Sequence, residues 1–245
     1  MPFEARTAPV ASVQTRYASP EAAPTVRPIV RMIPGLSDLP PMNGDVLIRL
    51  ADILISLAAI LFLLPGLIAV AVLVKLQDGG PIVFAQTRIG KDMRHFKCLK
   101  FRSMRTNAGE LLAELLERDP VARAEWEADH KLRHDPRITR LGNFMRKTSL
   151  DELPQLFNVL RGDMSLVGPR PIVEAEVVRY GRSMRHYCRQ VPGITGLWQV
   201  SGRNDVSYRR RVALDRLFTR KLSIKLYATI LVMTVPAVLL RRGSY

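Results

Sequence analysis

The chain has 245 residues, enough for one large domain or two small ones. It carries 37 Lys and Arg against 22 Asp and Glu, a formal net charge of +15, which points to a polyanionic partner: nucleic acid, anionic lipid or a nucleotide substrate. Its two cysteines, Cys98 and Cys188, lack CxxC spacing and its four histidines lack metal-ligand spacing, which argues against a disulfide framework and a structural zinc site.

Residues 1–44 hold eight of the 17 prolines, with Ala, Ser and Thr between them, and lack an apolar core of signal-peptide length. Proline fixes φ and removes backbone donors, so an unstructured tail is expected, on a protein at home in the reducing cytosol. Residues 53–74 form a run of 22 without a charge, long enough to cross a bilayer. Pro65-Gly66 falls at its centre, where proline removes the bond to the Leu61 carbonyl and bends the axis. A spanning anchor and a helix-break-helix that leaves by the face it entered compete here. The cations on both flanks, Arg49 before and Arg88, Lys91, Arg94, Lys97, Lys100, Arg102 and Arg105 after, favour the second, which keeps them all cytoplasmic.

Asp78-Gly79-Gly80-Pro81 reads as a turn. Residues 82–85 and 96–101 read as short strands of a hairpin around Ile89-Gly90-Lys91-Asp92. A helix is expected over 110–118, with leucines at 111, 112, 115 and 116, and a second over 122–132. A further helix fits 154–161, with Pro154 in its first turn and Gly162 after its last. Residues 205–226 read as an arginine-rich helix. The last apolar run, 226–240, is 15 residues long and contains Pro236, too short to span, so an interfacial placement is expected.

Three places carry candidate chemistry. Asp151 and Glu152 sit at or just before a helix N-terminus, whose dipole favours the ionised carboxylate that a nucleophile or a Mg²⁺ ligand needs. Two adjacent carboxylates repel unless a divalent cation or basic side chains offset them, and Arg140, Arg146, Lys147, Arg170 and Arg203 are available. The same pair also fits plain helix capping. In Gly168-Pro169-Arg170-Pro171 two prolines hold the backbone on either side of one arginine, pre-orienting a guanidinium for a phosphate; a rigid turn with a solvent-facing arginine is the other reading. The glycine-rich stretch 193–203 around Trp198 suits a phosphate, a base or core packing, and matches neither the Rossmann fingerprint nor the P-loop.

Taken in order, Arg49-x-x-Asp52, the broken apolar segment, Lys100-Phe101-Arg102-Ser103-Met104, Asp135-Pro136-Arg137-Ile138-Thr139, the block around Asp151-Glu152, Gly168-Pro169-Arg170-Pro171 and 193–203 closely resemble one family: the bacterial sugar transferases, or monotopic phosphoglycosyl transferases. The resemblance covers about residues 45–245 and is to the compact type that starts exopolysaccharide repeat units. It implies transfer of hexose-1-phosphate from a UDP-sugar, galactose or glucose, to undecaprenyl phosphate, with release of UMP, at the cytoplasmic face of the inner membrane. By match to the motifs, Asp151 is the nucleophile that carries a covalent phosphosugar and Glu152 its partner, as base or metal ligand. Mg²⁺ binds at this pair. Lys100, Arg170, Pro171 and Arg203 contact substrate, and Arg49, Asp52 and Pro65 support the membrane helix. Many relatives carry Ser-Pro at the membrane break, where this chain has Leu64-Pro65.

The expected architecture is α+β and mostly helical. It is a monotopic membrane protein with a disordered tail (1–44), a re-entrant helix-break-helix (45–78) and a cytoplasmic catalytic domain (79–245) with a small β-hairpin and interfacial amphipathic helices. Membrane lipid is an expected partner, nucleic acid is not, and a homodimer is compatible with the chain. Two other readings use the same residues: a transferase that moves the sugar alone and releases UDP, and a non-catalytic polybasic membrane scaffold.

Overall fold

A computed structural model describes residues 45–129, 132, 134–202 and 206–239. The expected tail, 1–44, and Arg203 lie outside them.

Among the described residues the first element is helix α1, Asp45–Asp78, 34 residues long. At 1.5 Å per residue it spans about 51 Å. The expected break at Pro65-Gly66 is not an interruption, because one helix runs through both residues. Proline forfeits the bond its own N–H would have made and its ring crowds the Leu61 carbonyl, yet the turns on either side persist. One stripe of α1, formed by Ile48, Asp52, Ser56, Ile60, Leu67 and Val74, is buried. The spacing of these residues keeps them on a single helical face. The opposite face exposes Leu54, Leu61, Phe62, Ile68 and Leu76, among others.

The hairpin is present and longer than expected: β1 (Val83–Ile89) pairs antiparallel with β2 (His95–Phe101), joined by a short 3-10 turn at Lys91–Met93. Gln86, Thr87 and Arg88 belong to the ladder, opposite Cys98, Lys97 and Phe96. Helices α2 (Ala108–Arg118) and α3 (Pro120–Asp129) follow. The second starts earlier than the sequence suggested, because the Asp119 carboxylate accepts from the N–H groups of Val121 and Ala122 and Pro120 suits a first turn. Leu132, expected at its end, is not helical.

Helix α4 (Arg140–Thr148) was not anticipated. The Thr139 hydroxyl caps it by accepting from Gly142 N–H, and Ser149 ends it in the left-handed region. A 3-10 turn, Leu150–Glu152, leads through Pro154 into α5 (Gln155–Arg161), which Gly162 closes at φ 91°. Two three-residue strands, β3 (Ser165–Val167) and β4 (Gly193–Thr195), pair in parallel. Between them lie two single-turn helices, α6 (Val177–Tyr180) and α7 (Met184–Tyr187), and after them the short α8 (Leu197–Val200).

The arginine-rich segment and the last apolar run divide differently from the expectation. Helix α9 (Tyr208–Lys221) is capped by Ser207, and Leu222 leaves helical geometry at ψ 127°. Helix α10 (Ile224–Leu239) then starts at Ser223, whose hydroxyl accepts from Leu226 N–H. Tyr227 and Ile230 seat α10 in the same core as Ile48, Ile60, Val159 and Phe218.

Candidate active site

Asp151 and Glu152 lie on the 3-10 turn before α5, so backbone geometry delivers both carboxylates to one place. Lys100, the sixth residue of β2, meets them from the hairpin. Its Nζ is 2.6 Å from Glu152 Oε1 and 4.0 Å from Asp151 Oδ2. Arg170 enters from the opposite wall, with a guanidinium nitrogen 3.7 Å from the same Glu152 oxygen. Four residues that the motifs single out, from three separate parts of the chain, thus converge. They line a cavity of about 1290 Å³, together with Pro171.

The two carboxylates are electrically unlike. Burial pushes the Asp151 carboxyl above the ordinary aspartate value, Lys100 partly counters this and the Glu152 charge adds to it. Glu152 also feels burial, but Lys100 and Arg170 outweigh it and hold the carboxyl at about 2. Glu152 is therefore a fixed anion, while Asp151 is the carboxylate whose charge responds to its surroundings.

Supports for these residues were not legible in the sequence. Asn158 on α5 is fully buried, and its side chain acts as a surrogate strand for β2: Oδ1 accepts from Leu99 N–H and Nδ2 donates to the Lys97 carbonyl. This pins the strand beside Lys100. Arg88 on β1 donates to the Pro171 carbonyl at 3.1 Å, and Ile89 N–H donates to the Ile172 carbonyl, so the Arg170 turn is tied to the hairpin. The turn's other side rests on β4. Gly168 N–H donates to the Thr195 carbonyl, and a Cβ at Gly168 would lie 2.5 Å from the Val191 oxygen. Arg146, on the unanticipated α4, lines the cavity and donates to the Ser103 hydroxyl at 2.9 Å. The sequence named Arg146 only as an available cation, because its place depends on a helix that was not recognised.

The described part of the stretch, 193–202, forms a strand, a helical turn and a closing turn. Trp198 is buried, Arg211 stacks 4.4 Å from its ring centroid, and both line the cavity with Tyr180 and Tyr208. Beneath them the Tyr180 hydroxyl donates to Asp215, whose burial pushes its carboxyl to about 7.

Arg49 and Asp52 lie away from the dyad and act as fasteners of α1. Arg49 donates to the Val159 and Leu160 carbonyls at the end of α5, at 2.5 and 2.8 Å. One oxygen of buried Asp52 accepts from the Ser165 hydroxyl, Leu166 N–H and the Tyr227 hydroxyl. At the other end of α1, Arg102 pairs with Asp78 and donates to the Val74 carbonyl. Pro65 is exposed.

Among the described residues no group of three or more His, Cys, Asp or Glu side chains is placed to hold a metal. The two carboxylates of the dyad nonetheless fit Mg²⁺, which commonly takes one or two carboxylates and completes its shell with water and substrate phosphates.

The family model for bacterial sugar transferases matches residues 43–241. A UDP-galactose-lipid carrier transferase of Erwinia amylovora is 56% identical over 183 residues, 75% of this chain and 38% of that protein. An undecaprenyl-phosphate galactose phosphotransferase of Salmonella typhimurium is 56% identical over 169 residues, 69% of this chain and 36% of that protein. The chain thus spans under two fifths of these two relatives. It covers nearly the whole of the exopolysaccharide production protein ExoY of Sinorhizobium fredii, at 44% identity over 234 residues, 96% of this chain and 97% of that protein.

Proposed function

The chain belongs to the bacterial sugar transferases, and from that membership we propose that it transfers hexose-1-phosphate from a UDP-sugar to undecaprenyl phosphate, releasing UMP, as an initiating step of exopolysaccharide synthesis. Galactose is the first sugar to test, because two relatives at 56% identity carry galactose in their names, with glucose second. The observation that carries the reading is the convergence of Asp151, Glu152, Lys100 and Arg170 on one cavity.

The chemistry follows from that arrangement in two displacements. The Asp151 carboxylate attacks the phosphorus bearing the sugar; the P–O bond to the nucleotide breaks and UMP leaves with the electron pair. An oxygen of the acceptor phosphate then attacks the aspartyl phosphosugar, the Asp151 O–P bond breaks, and the lipid diphosphate sugar departs. Lys100 and Arg170 offset the charge that spreads over the phosphoryl oxygens, in a partly buried site where such interactions are strong. Glu152 holds both cations in place. Asp151 and Glu152 would also hold Mg²⁺, which when bound neutralises the donor diphosphate. Arg203, by its motif, is a second donor contact.

We place the protein on the cytoplasmic face of the inner membrane, with both ends of α1 on that side. Arg49 and Asp52 fasten the start of α1, and Arg102 fastens its end at Asp78, to one and the same polar body. A helix that crossed a bilayer would carry one end away from it. The apolar outer face of α1 is then the surface offered to lipid.

The test is product analysis on membranes supplied with undecaprenyl phosphate and a panel of UDP-sugars. UMP with a lipid diphosphate sugar is expected. UDP as the released nucleotide would mean that the sugar moves without its phosphate and would overturn the proposal.

A further inference from the structure

The cavity does not end at the dyad. Its wall continues past Leu156 and Leu166 to Leu231, Thr234 and Ala237 of α10, which recur every third residue and share one helical face. Their neighbours Val232, Met233 and Val235 are 70%, 45% and 59% exposed. Helix α10 is therefore a partition, with the cavity on one side and an apolar exterior on the other. Trp198 and Val200 of α8, a turn that packs against α10, line the same cavity.

Two properties of this lobe bear on its occupant. The first is size. Pockets for one small ligand run to roughly 300–1,000 Å³, and this cavity holds about 1290 Å³, room for a donor and part of a second molecule. The second is a gradient of character. Lys100, Arg170 and Arg146 gather cations near the dyad, while the α10 lobe is lined mostly by Leu, Ile, Val and Ala side chains and Trp198; its polar groups are the Thr195–Thr234 hydroxyl pair, mutually bonded at 2.8 Å, the Gln199 amide, which donates to the Ile194 carbonyl, and Arg211, which lies over the Trp198 ring. A ligand with an anionic head and a long apolar tail fits such a gradient in one direction only.

We infer that the lobe lined by α10 and α8 receives the isoprenoid chain of the acceptor, leading it from the apolar exterior beside α10 to the dyad. This rests on the transfer reaction proposed above and adds a binding path to it. The occupant is the first isoprene units behind the phosphate, and the exposed apolar outer faces of α1 and α10, joined at Asp52 and Tyr227, continue the path outward.

The experiment is photo-crosslinking of the full chain in detergent micelles, using farnesyl phosphate with a terminal diazirine and mapping the labelled peptides by mass spectrometry. Labelling on the inner face of α10 or at Trp198, suppressed by undecaprenyl phosphate, is expected. Labelling confined to the other end of the cavity, at residues 101–108 or on the hairpin, overturns the inference, as does the absence of any competed label. Release of UMP from UDP-hexose is followed in the same sample. If that release fails, the proposed reaction itself is wrong; if it proceeds while the label lies elsewhere, only the path is wrong. Ala237→Trp gives a second reading. Filling the lobe should raise KM for farnesyl phosphate, relative to KM for the donor, by about tenfold, with the UMP burst counting folded sites; an unchanged ratio counts against the path.

Discussion

The Lys100 ammonium lies 2.6 Å from Glu152 and 4.0 Å from Asp151, so one cation serves two adjacent carboxylates unequally. Glu152 is held ionised, and Asp151 is left with a carboxyl that burial has raised. The rate of UMP release should therefore fall on acidification at a pH above the ordinary aspartate value, as Asp151 takes a proton and loses its nucleophilicity. Lys100→Met removes the nearest group that favours the ionised form, so the acid limb should move to higher pH. A pH–rate profile in which the limb stays put or moves down would remove Lys100 from this role.

The covalent step makes a direct prediction. Mixing the protein with donor and Mg²⁺ should give an adduct of one phosphosugar on Asp151, seen by intact mass spectrometry and mapped by digestion. Asp151→Asn should abolish it while donor still binds through Arg170. Asp151→Glu should lose about 10²-fold, since the added methylene moves the attacking oxygen by roughly 1 Å. Full turnover by Asp151→Asn would end the assignment.

Asp52 accepts three hydrogen bonds in the core, from Ser165, Leu166 and Tyr227. Asp52→Ala strands three buried donors, each at a cost of about 1–3 kcal/mol, and loosens β3, which runs directly into the Arg170 turn. Tyr227→Phe removes a single donor and should cost about 1 kcal/mol. Thermal melts in detergent should rank the two in that order, with activity falling further in Asp52→Ala; equal melting temperatures would contradict the fastening role.

Asp215 gives stability a pH dependence of definite sign. Its carboxyl titrates near 3.8 when unfolded and at about 7 when folded, so the unfolded chain ionises first as pH rises. Stability from this group is full below the lower value, falls through the window between them and is flat above, by up to about 4 kcal/mol in all. Asp215→Asn keeps an acceptor for the Tyr180 hydroxyl without the ionisation. Its melting temperature relative to the parent should rise between about pH 4 and about pH 7 and level off above; a difference independent of pH would refute the argument.

Topology can be read with cysteines at Val46 and Gln77, both exposed near the ends of α1, in a chain whose own Cys98 and Cys188 are buried. An impermeant maleimide should leave both unlabelled in intact cells and label both once the membrane is opened. Labelling of either from the periplasm would establish a spanning helix.

Much of the site was legible because its residues sit in local signals. Pro154 and Gly162 bracket α5 and so place Asp151 and Glu152 before it. The two prolines around Arg170 announce a stiff turn. The hairpin carrying Lys100 follows from alternating strands around Gly90. What escaped depends on distant partners. Asn158 looks like any helical asparagine until β2 lies beside it, and Arg88 is one of many cations until Pro171 presents its carbonyl. The short α4 helix escaped although Leu141, Phe144 and Met145 fall at helical spacing and Thr139 is a sound cap. At Pro65 helical geometry continues, because the packed stripe of α1 holds the turns on either side of the lost hydrogen bond and the crowded ring. Ser223 divides α9 from α10 where arginine-rich and apolar stretches had blurred the boundary.

The amide of Asn158 has a further consequence for how these molecules behave in a crowd. A two-stranded ribbon is marginal in water, and its outer edge is a template for strands of other chains. Along residues 97–99 that edge is already occupied, because the outward Leu99 N–H and Lys97 carbonyl are both engaged by one side chain. Asn158 thus protects the ribbon from edge-to-edge aggregation, and a foreign strand would have to evict it before pairing there.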